Sequence, residues 1–400
     1  MKIEIPAPVE EILSRLNEHG YEGYIVGGCV RDMLLGREPE DWDITTSALP
    51  HEVKAVFRRT IDTGIEHGTV TVMMNRRGFE VTTYRVDGDY SDGRHPDSVS
   101  FTRSLAEDLK RRDFTINAMA YNRQAGLVDL FGGRKDLEAG WIRCVGEPMD
   151  RFGEDALRIL RAIRFSAQLG FQIEARTMEA VRAIGPNLKK VSRERVQTEL
   201  TKLLLSPHPE RMALVYETGV SPYVGRAFHL AGAGKALPFM TAGVPAQKAL
   251  RWTAFLREAG PEQAVSILKD LKLDNDTIYR VRTLTEWLAK PLAADKTALR
   301  RVMSGLDAGL YDDLLTLKRI LRPDTGESEE ELEEIVRLSK EIRADGDCLS
   351  LKELAVTGRD VMEAGIGPGK AVGEALSRLL DLVLEDPSRN RRDYLLQQLK

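Results

Sequence analysis

Two aspartates one residue apart, in Asp41-Trp42-Asp43-Ile44, follow the glycine pair of Val26-Gly27-Gly28-Cys29-Val30-Arg31-Asp32. If Asp41 to Thr45 is a strand, alternate side chains share a face: Asp41 and Asp43 point one way, Trp42 and Ile44 the other, into a core. Two carboxylates so close repel each other unless a cation lies between them. Mg2+ suits such a pair, because it takes oxygen ligands and keeps positions open for substrate phosphates. Gly27 and Gly28 lack a Cβ, so a phosphate can approach the backbone N–H groups. Cys29 to Leu35 reads as a short helix whose N-terminus would lie beside that phosphate, with Arg31 on its first turn adding a charge-assisted bond. Together these groups suit attack of a hydroxyl on an α-phosphate, with pyrophosphate leaving.

The elements that must position them are legible in outline. Pro8 to Gly20 has helical spacing, with Val9, Ile12, Leu13 and Leu16 on one face and Gly20 as a stop. Tyr24 to Val26 is a short strand running into the glycines. Val70–Met73 and Phe79–Tyr84 flank Asn75-Arg76-Arg77-Gly78 as a hairpin. A helix is expected over Ala106–Tyr121, and Leu127–Leu130 as a last strand. From Glu154 onward strand signals almost vanish, and helix follows helix. Ala231–Gln247 and the acidic Arg322–Glu334 read as hinges or loops. The expected fold class is α+β, an α/β head over 1–140 followed by a helical neck (141–206), body (207–322) and tail (323–400).

Three further segments narrow the reading: Arg111-Arg112-Asp113-Phe114-Thr115-Ile116-Asn117-Ala118, Asp129-Leu130-Phe131-Gly132-Gly133, and Arg151-Phe152-Gly153-Glu154-Asp155-Ala156-Leu157-Arg158. With the glycine pair and Asp-x-Asp, they resemble the class II tRNA nucleotidyltransferases of the polymerase-beta-like superfamily, the bacterial-type CCA-adding enzymes and their poly(A) polymerase relatives. The resemblance is dense over residues 20–205 and returns weakly in Leu354–Asp360 and Gly367–Gly369. It implies that Asp41 and Asp43 hold the metals and that Gly28, Arg31 and Arg112 contact the triphosphate, with Gly27 in support. It implies too that Glu154 to Arg158 reads the incoming base. Asp155 and Arg158, three apart on a helix, would share a face. Cytosine and adenine each offer an amino donor beside a ring-nitrogen acceptor, so an Asp that accepts and an Arg that donates fit CTP and ATP alike. Guanine and uracil put a carbonyl where the amino group should be, and Asp155 would repel it. Glu154 would hold Arg158 by an ion pair. Arg161 and Arg164 continue the series as nucleotide-binding candidates, but steps of three drift around the helix, which directs Arg164 to phosphate or a neighbouring element. Glu80 is a candidate third carboxylate, and His67-Gly68-Thr69 a candidate nucleotide neighbour. Asp87–Pro96 matches the position of a loop used in the family for adding the terminal A.

Composition sets the limits. The 400 residues carry 42% hydrophobic and 30% charged residues, with no apolar run near the roughly 20 residues that span a bilayer. Net charge is −4, yet residues 100–205 hold 19 Lys and Arg against 14 Asp and Glu, an excess of +5 that permits RNA without requiring it. Three scattered cysteines, Cys29, Cys144 and Cys348, form neither a disulfide framework nor a zinc motif. With no signal peptide at Met1-Lys2-Ile3-Glu4, a cytoplasmic protein is expected. Neither the His-Asp motif of an added phosphohydrolase domain nor a strongly basic C-terminal extension is present. The expected partners are the 3′ acceptor end of tRNA with CTP and ATP as substrates and Mg2+ as cofactor, and no membrane. Oligomeric state stays open, a homodimer included, as do poly(A) addition, CC-only or A-only addition, and a non-catalytic RNA-binding relative.

Overall fold

Residues 23–26 alternate poorly but are fully buried, and that burial explains the centre of the fold. In the computed structural model, which describes residues 4–88, 99–232, 243–322 and 326–399, Gly23–Val26 (β1) is an inner strand. The chain begins with α1 (Ala7–Glu18), whose Val9, Ile12, Leu13 and Leu16 are buried. After β1 come α2 (Gly28–Leu34), β2 (Ile44–Thr46), α3 (Pro50–Val56), β3 (Thr60–Gly64), β4 (Thr69–Met74), β5 (Arg77–Thr83), β6 (Arg85–Asp87), β7 (Val99–Phe101), α4 (Leu105–Lys110), β8 (Met119–Asn122) and β9 (Gly126–Asp129). Seven of these strands form one sheet in the order β3-β4-β5-β2-β1-β8-β9. Within this sheet, among the described residues, only β2 and β5 pair in parallel. The expected hairpin closes β4 onto β5 through Asn75 and Arg76, both at positive φ (49° and 65°), as a two-residue turn matched to strand twist requires.

Three expectations are corrected here. The helix expected over Ala106–Tyr121 stops at Lys110. Phe114 is extended, Thr115–Asn117 makes a single 3-10 turn, and β8 then joins β1, with Ile25 opposite Tyr121. Long-range pairing overrides the helical pattern. Thr115 donates its N–H to Arg143, Val145 to Asp113, and the Asp113 carboxylate binds the Phe114 N–H. Gly133 lies against this turn so closely that a Cβ there would come within 2.2 Å of the Thr115 carbonyl oxygen. Second, strand β2 starts at Ile44, so Asp41 and Asp43 precede it, although Val26 N–H still bonds the Asp43 carbonyl at 3.0 Å. Third, the Arg322–Glu334 segment ends in a helix rather than a loop: Glu329–Ala344 is helical, started by a capping box of Ser328 and Glu331.

Beyond the sheet come α5 (Gly133–Ala139), β10 (Trp141–Ile142), α6 (Pro148–Glu154), α7 (Leu157–Leu169), β11 (Gln172–Ile173), α8 (Ala175–Ile184) and α9 (Arg193–Leu204). Asp155, expected on one helix with Arg158, instead lies at the break between α6 and α7, where its φ of −140° and ψ of 102° are extended. Helix α7 packs on α9 through an apolar face that includes Ile159, Ala162, Ile163 and Leu200, all buried. The described residues fall into two compact units, one reaching residue 232 and including Asp270–Lys272, the other built from 243–269 and 273–399. Head and neck thus share one unit. The second unit is helical throughout its described residues, around Trp252, Val281, Leu314, Ile335, Leu379 and Val383. Within it the fully buried Lys318 ammonium pairs with Glu327 and donates to the Lys290 carbonyl at 2.9 Å. No helix among the described residues is long and apolar enough to cross a membrane.

Candidate active site

A cavity of about 620 Å3 opens where the end of β1 meets α7 and α9. Gly27, Gly28, Arg31, Asp41, Asp43, Arg112, Arg161 and Arg164 all line it, so eight of the eleven candidate residues meet in one place. Gly27 takes φ +80°, which glycine alone adopts freely, and a Cβ there would stand 3.2 Å from the Arg112 guanidinium. No side chain caps α2. Its first N–H groups are left facing the cavity end of β1.

The arginines are held from behind. Arg31 donates twice to Asp32 at 2.9 Å and once to Asn117 at 2.8 Å, and its guanidinium lies 5.2 Å from the Phe165 ring. Arg112 reaches the fully buried Asp108 at 3.3 Å, while Arg111 holds the other oxygen of the same carboxylate at 2.8 Å. The Arg112 Nε is buried with no hydrogen-bond partner among the described residues. An orphaned buried donor at the mouth of an arginine-lined cavity fits an arriving phosphate oxygen. Across the cavity, Asp113 pairs with Arg161 at 2.6 Å, and Arg164 with the buried Glu199 at 2.5 Å. Burial opposes the Asp113 charge, but the Arg161 guanidinium, with Arg158 and Asn117, outweighs it and holds the carboxyl at about 2. Arg164 stacks 3.9 Å from Phe165, which therefore meets three arginines.

At Asp43, loss of solvent raises the carboxyl above its ordinary value; Arg112 pulls it down and Asp41 pushes it up again. A cation beside both aspartates would remove that penalty. The donor set is hard oxygen, as a divalent metal with open positions needs. Cys29 supplies no soft ligand, because burial, then Asp43, pushes its thiol up to about 11. Among the described residues no three His, Cys, Asp or Glu side chains gather closely enough to hold a metal, so a cation at the aspartate pair would need water or substrate oxygens to complete its shell. Glu80 is a neighbour, since the β2–β5 register that sets Ile44 beside Val81 brings Asp43 and Glu80 to one face, and both line a smaller recess of about 210 Å3. Thr69 lines that recess too, whereas His67 lines neither space.

The expected reading pair is arranged differently. Asp155 lies off the helix and caps α7, its Oδ1 accepting the Leu157 N–H at 3.0 Å, while Arg195 of α9 grips the carboxylate at 2.7 and 3.3 Å. Arg158 is buried, ion-paired to Glu154 at 2.7 Å as expected, and donates to the carbonyls of Arg151 and Arg111. Neither Asp155, Arg158 nor Glu154 lines the cavity. The Asp87–Pro96 loop lies outside the described residues beyond Gly88. Sequence reasoning passed over Asp108, Asp113, Asn117, Phe165 and Glu199. Asp113 and Asn117 stood inside the Arg111–Ala118 segment, and Asp108 was one charge among several in Glu107-Asp108-Leu109-Lys110. Phe165 and Glu199 carried no local signal.

A carboxylate pair with the donor chemistry of a divalent-cation site, lining one cavity with Arg31, Arg112, Arg161 and Arg164, is the arrangement of a nucleotidyltransferase of the polymerase-beta type. Family comparison agrees: residues 23–143 match the poly(A) polymerase head domain, 170–227 a probable RNA- and SrmB-binding site of polymerase A, and 245–399 a second tRNA nucleotidyltransferase domain. The CCA-adding enzyme of Enterococcus faecalis is 38% identical over 397 residues, covering 97% of this chain and 94% of its own. That of Geobacillus thermodenitrificans is 39% identical over 388 residues, covering 96% and 94%. The Bacillus stearothermophilus CCA-adding enzyme in complex with CTP superposes with a TM-score of 0.82 at 35% identity, covering 99% of this chain and 97% of that one. The chain belongs to the CCA-adding enzymes, a family of nucleotidyltransferases that use a divalent metal.

Proposed function

We infer that this protein adds C, C and A to the 3′ end of tRNA from CTP and ATP, releasing pyrophosphate, with Mg2+ as the divalent metal. The observation that carries the reading is the meeting of Asp41 and Asp43 with Gly28, Arg31 and Arg112 in one cavity, in a chain related to CCA-adding enzymes over 97% of its length. Asp41 and Asp43 hold the metal. A divalent metal held there would help activate the attacking hydroxyl and offset charge at the α-phosphate. The uncapped turn after Gly27 receives phosphate oxygens on backbone N–H groups. Arg31, braced by Asp32 and Asn117, and Arg112, braced by Asp108, hold the leaving pyrophosphate in line. Arg161, paired with Asp113, and Arg164, paired with the Glu199 that also lies 3.9 Å from Arg161, are assigned to the far side of the nucleotide.

Base choice is assigned to Asp155 and Arg158 at the α6–α7 break. Arg158 supports this placement because it sits one turn before Arg161 on α7 and its guanidinium touches the carbonyl of Arg111, next to the phosphate-facing Arg112. The module boundaries proposed are head 1–140, neck 141–206, body 207–322 and tail 323–400, the helical modules holding tRNA by shape and backbone contacts. The three free, buried cysteines suit a reducing cytoplasm. The test is to incubate the protein with tRNA lacking its CCA end and with each NTP alone and in pairs, then size the products. Two nucleotides added with CTP and a third only when ATP is also present is the expected result. A long tract with ATP alone would instead mark a poly(A) polymerase, the activity named for the family of its head.

A further inference from the structure

The two residues assigned to the base do not pair with each other. Asp155 and Arg158 are three apart and oppositely charged, and side chains so placed ordinarily form their own bridge. A bridge of that kind would satisfy the acceptor and the donor that a base must meet, and an arriving nucleotide would have to break it. Here each has another partner. Glu154 takes Arg158 at 2.7 Å, and Arg195, from a different helix 40 residues on, takes Asp155. The break between α6 and α7 makes this possible, because the extended Asp155 backbone turns its carboxylate off the α7 surface and towards α9.

We propose that Arg195 is a specificity-positioning residue, whose grip on Asp155 keeps that carboxylate aimed and apart from Arg158. The proposal rests on the reading of Asp155 as a base reader. An ionised carboxylate offers about four lone-pair directions. Oδ1 receives the Leu157 N–H at 3.0 Å and Arg195 at 3.3 Å, and Oδ2 receives Arg195 at 2.7 Å. One direction on Oδ2 is uncommitted among the described residues. A carboxylate held this way can only accept, and along one line. It welcomes the exocyclic amino group of cytosine or adenine and repels the carbonyl that uracil or guanine presents at the same place. Bidentate geometry matters: a planar guanidinium fixes both oxygens, whereas a point charge fixes a direction only loosely. Without Arg195 the carboxylate can rotate about its side-chain bonds, pair with Arg158, and lose its fixed line of acceptance.

The experiment is competition between CTP and UTP for the first addition to tRNA lacking CCA, read as the ratio of kcat/KM values. It uses full-length Arg195→Ala, Arg195→Lys, Asp155→Ala and the double variant Asp155→Ala/Arg195→Ala, each checked for an intact thermal transition. Arg195→Ala is expected to lower the CTP:UTP ratio about tenfold, the low end of one discriminating base contact, while CTP addition stays measurable. Arg195→Lys should fall between wild type and Arg195→Ala. The double variant should lose no more selectivity than Asp155→Ala alone, because both changes act through one carboxylate. A wild-type ratio in Arg195→Ala beside a lowered ratio in Asp155→Ala overturns the proposal and leaves the reading standing. A wild-type ratio in Asp155→Ala overturns both. If Arg195→Ala does not fold, Arg195→Lys and Arg195→Gln decide: an unchanged ratio in both overturns the proposal, and a lowered one upholds it.

Discussion

Asp41 and Asp43 carry the heaviest chemical demand with the least structural support. Both precede their strand, and neither carboxylate accepts a side-chain hydrogen bond among the described residues. Their fold contribution is therefore small and their chemical contribution large. Asp41→Ala and Asp43→Ala should each abolish nucleotide addition in Mg2+ while leaving circular dichroism and the thermal midpoint unchanged. Near-normal turnover in either would remove that residue from the metal. Asp113 is the opposite case, buried and clamped by Arg161. Its folded value of about 2 lies below the ordinary 3.8. The stabilisation this provides is complete above the ordinary value and is lost as pH falls from about 4 to about 2. Asp113→Asn should accordingly be less stable than wild type at neutral pH by roughly 2 kcal/mol, and the two should converge at the acid end. Denaturant titrations at several pH values check this; parallel curves would mean that the Arg161 pair does not set the carboxyl.

Elements matter here through the turns between them. The Thr115–Asn117 turn carries Asn117 against Arg31 and is seated on Gly133, where a methyl group would collide with the Thr115 carbonyl. Gly133→Ala should therefore cost about 1–3 kcal/mol of stability and also raise the KM for CTP and ATP, because the displaced turn loosens Arg31. Lost stability with unchanged KM would separate the turn from the nucleotide. Far from the cavity, the β4–β5 hairpin keeps Arg76 at φ 65°, a region that costs a non-glycine residue about 1 kcal/mol. Arg76→Gly should regain part of that by thermal melting and leave kinetics untouched. A destabilised Arg76→Gly would show that the arginine side chain makes up for its strained backbone.

At the scale of the whole molecule, an acidic protein has to bind a polyanion. The excess of +5 over residues 100–205 sits in a chain of net −4, so binding depends on where charge lies rather than on its sum. Affinity for tRNA should fall linearly on a log–log plot against salt concentration, with a slope set by the phosphates contacted. Filter binding between 50 and 200 mM salt, about the range over which such slopes are resolved, is the measurement. Salt-independent binding, or equal affinity for any single-stranded RNA, would count against recognition of tRNA by its shape and backbone.

Local chemistry was legible along the chain because it depends on residue type at short spacing. The glycine pair, the aspartate pair, the Asn75-Arg76 hairpin and the apolar stripe of α1 are each decided within a few residues: the hairpin and the stripe form as expected, and the glycines and aspartates line one cavity, although the aspartates precede their strand. What depended on distant partners was decided only by folding. Ala106–Tyr121 has helical periodicity, but the backbone groups of Asp113 and Thr115 are taken by Val145 and Arg143, and β8 is claimed by β1. Asp155 and Arg158 have the spacing of a helical pair, yet Arg195 lies 40 positions downstream, and no local pattern announces a carboxylate drawn off its helix. Asp108, Phe165 and Glu199 are ordinary residues until the sheet, α7 and α9 converge on one cavity and leave them behind its arginines. Spacing along the chain sets which groups can react; packing sets which of them are held still, because a buried charge takes whatever opposite charge the fold brings within reach.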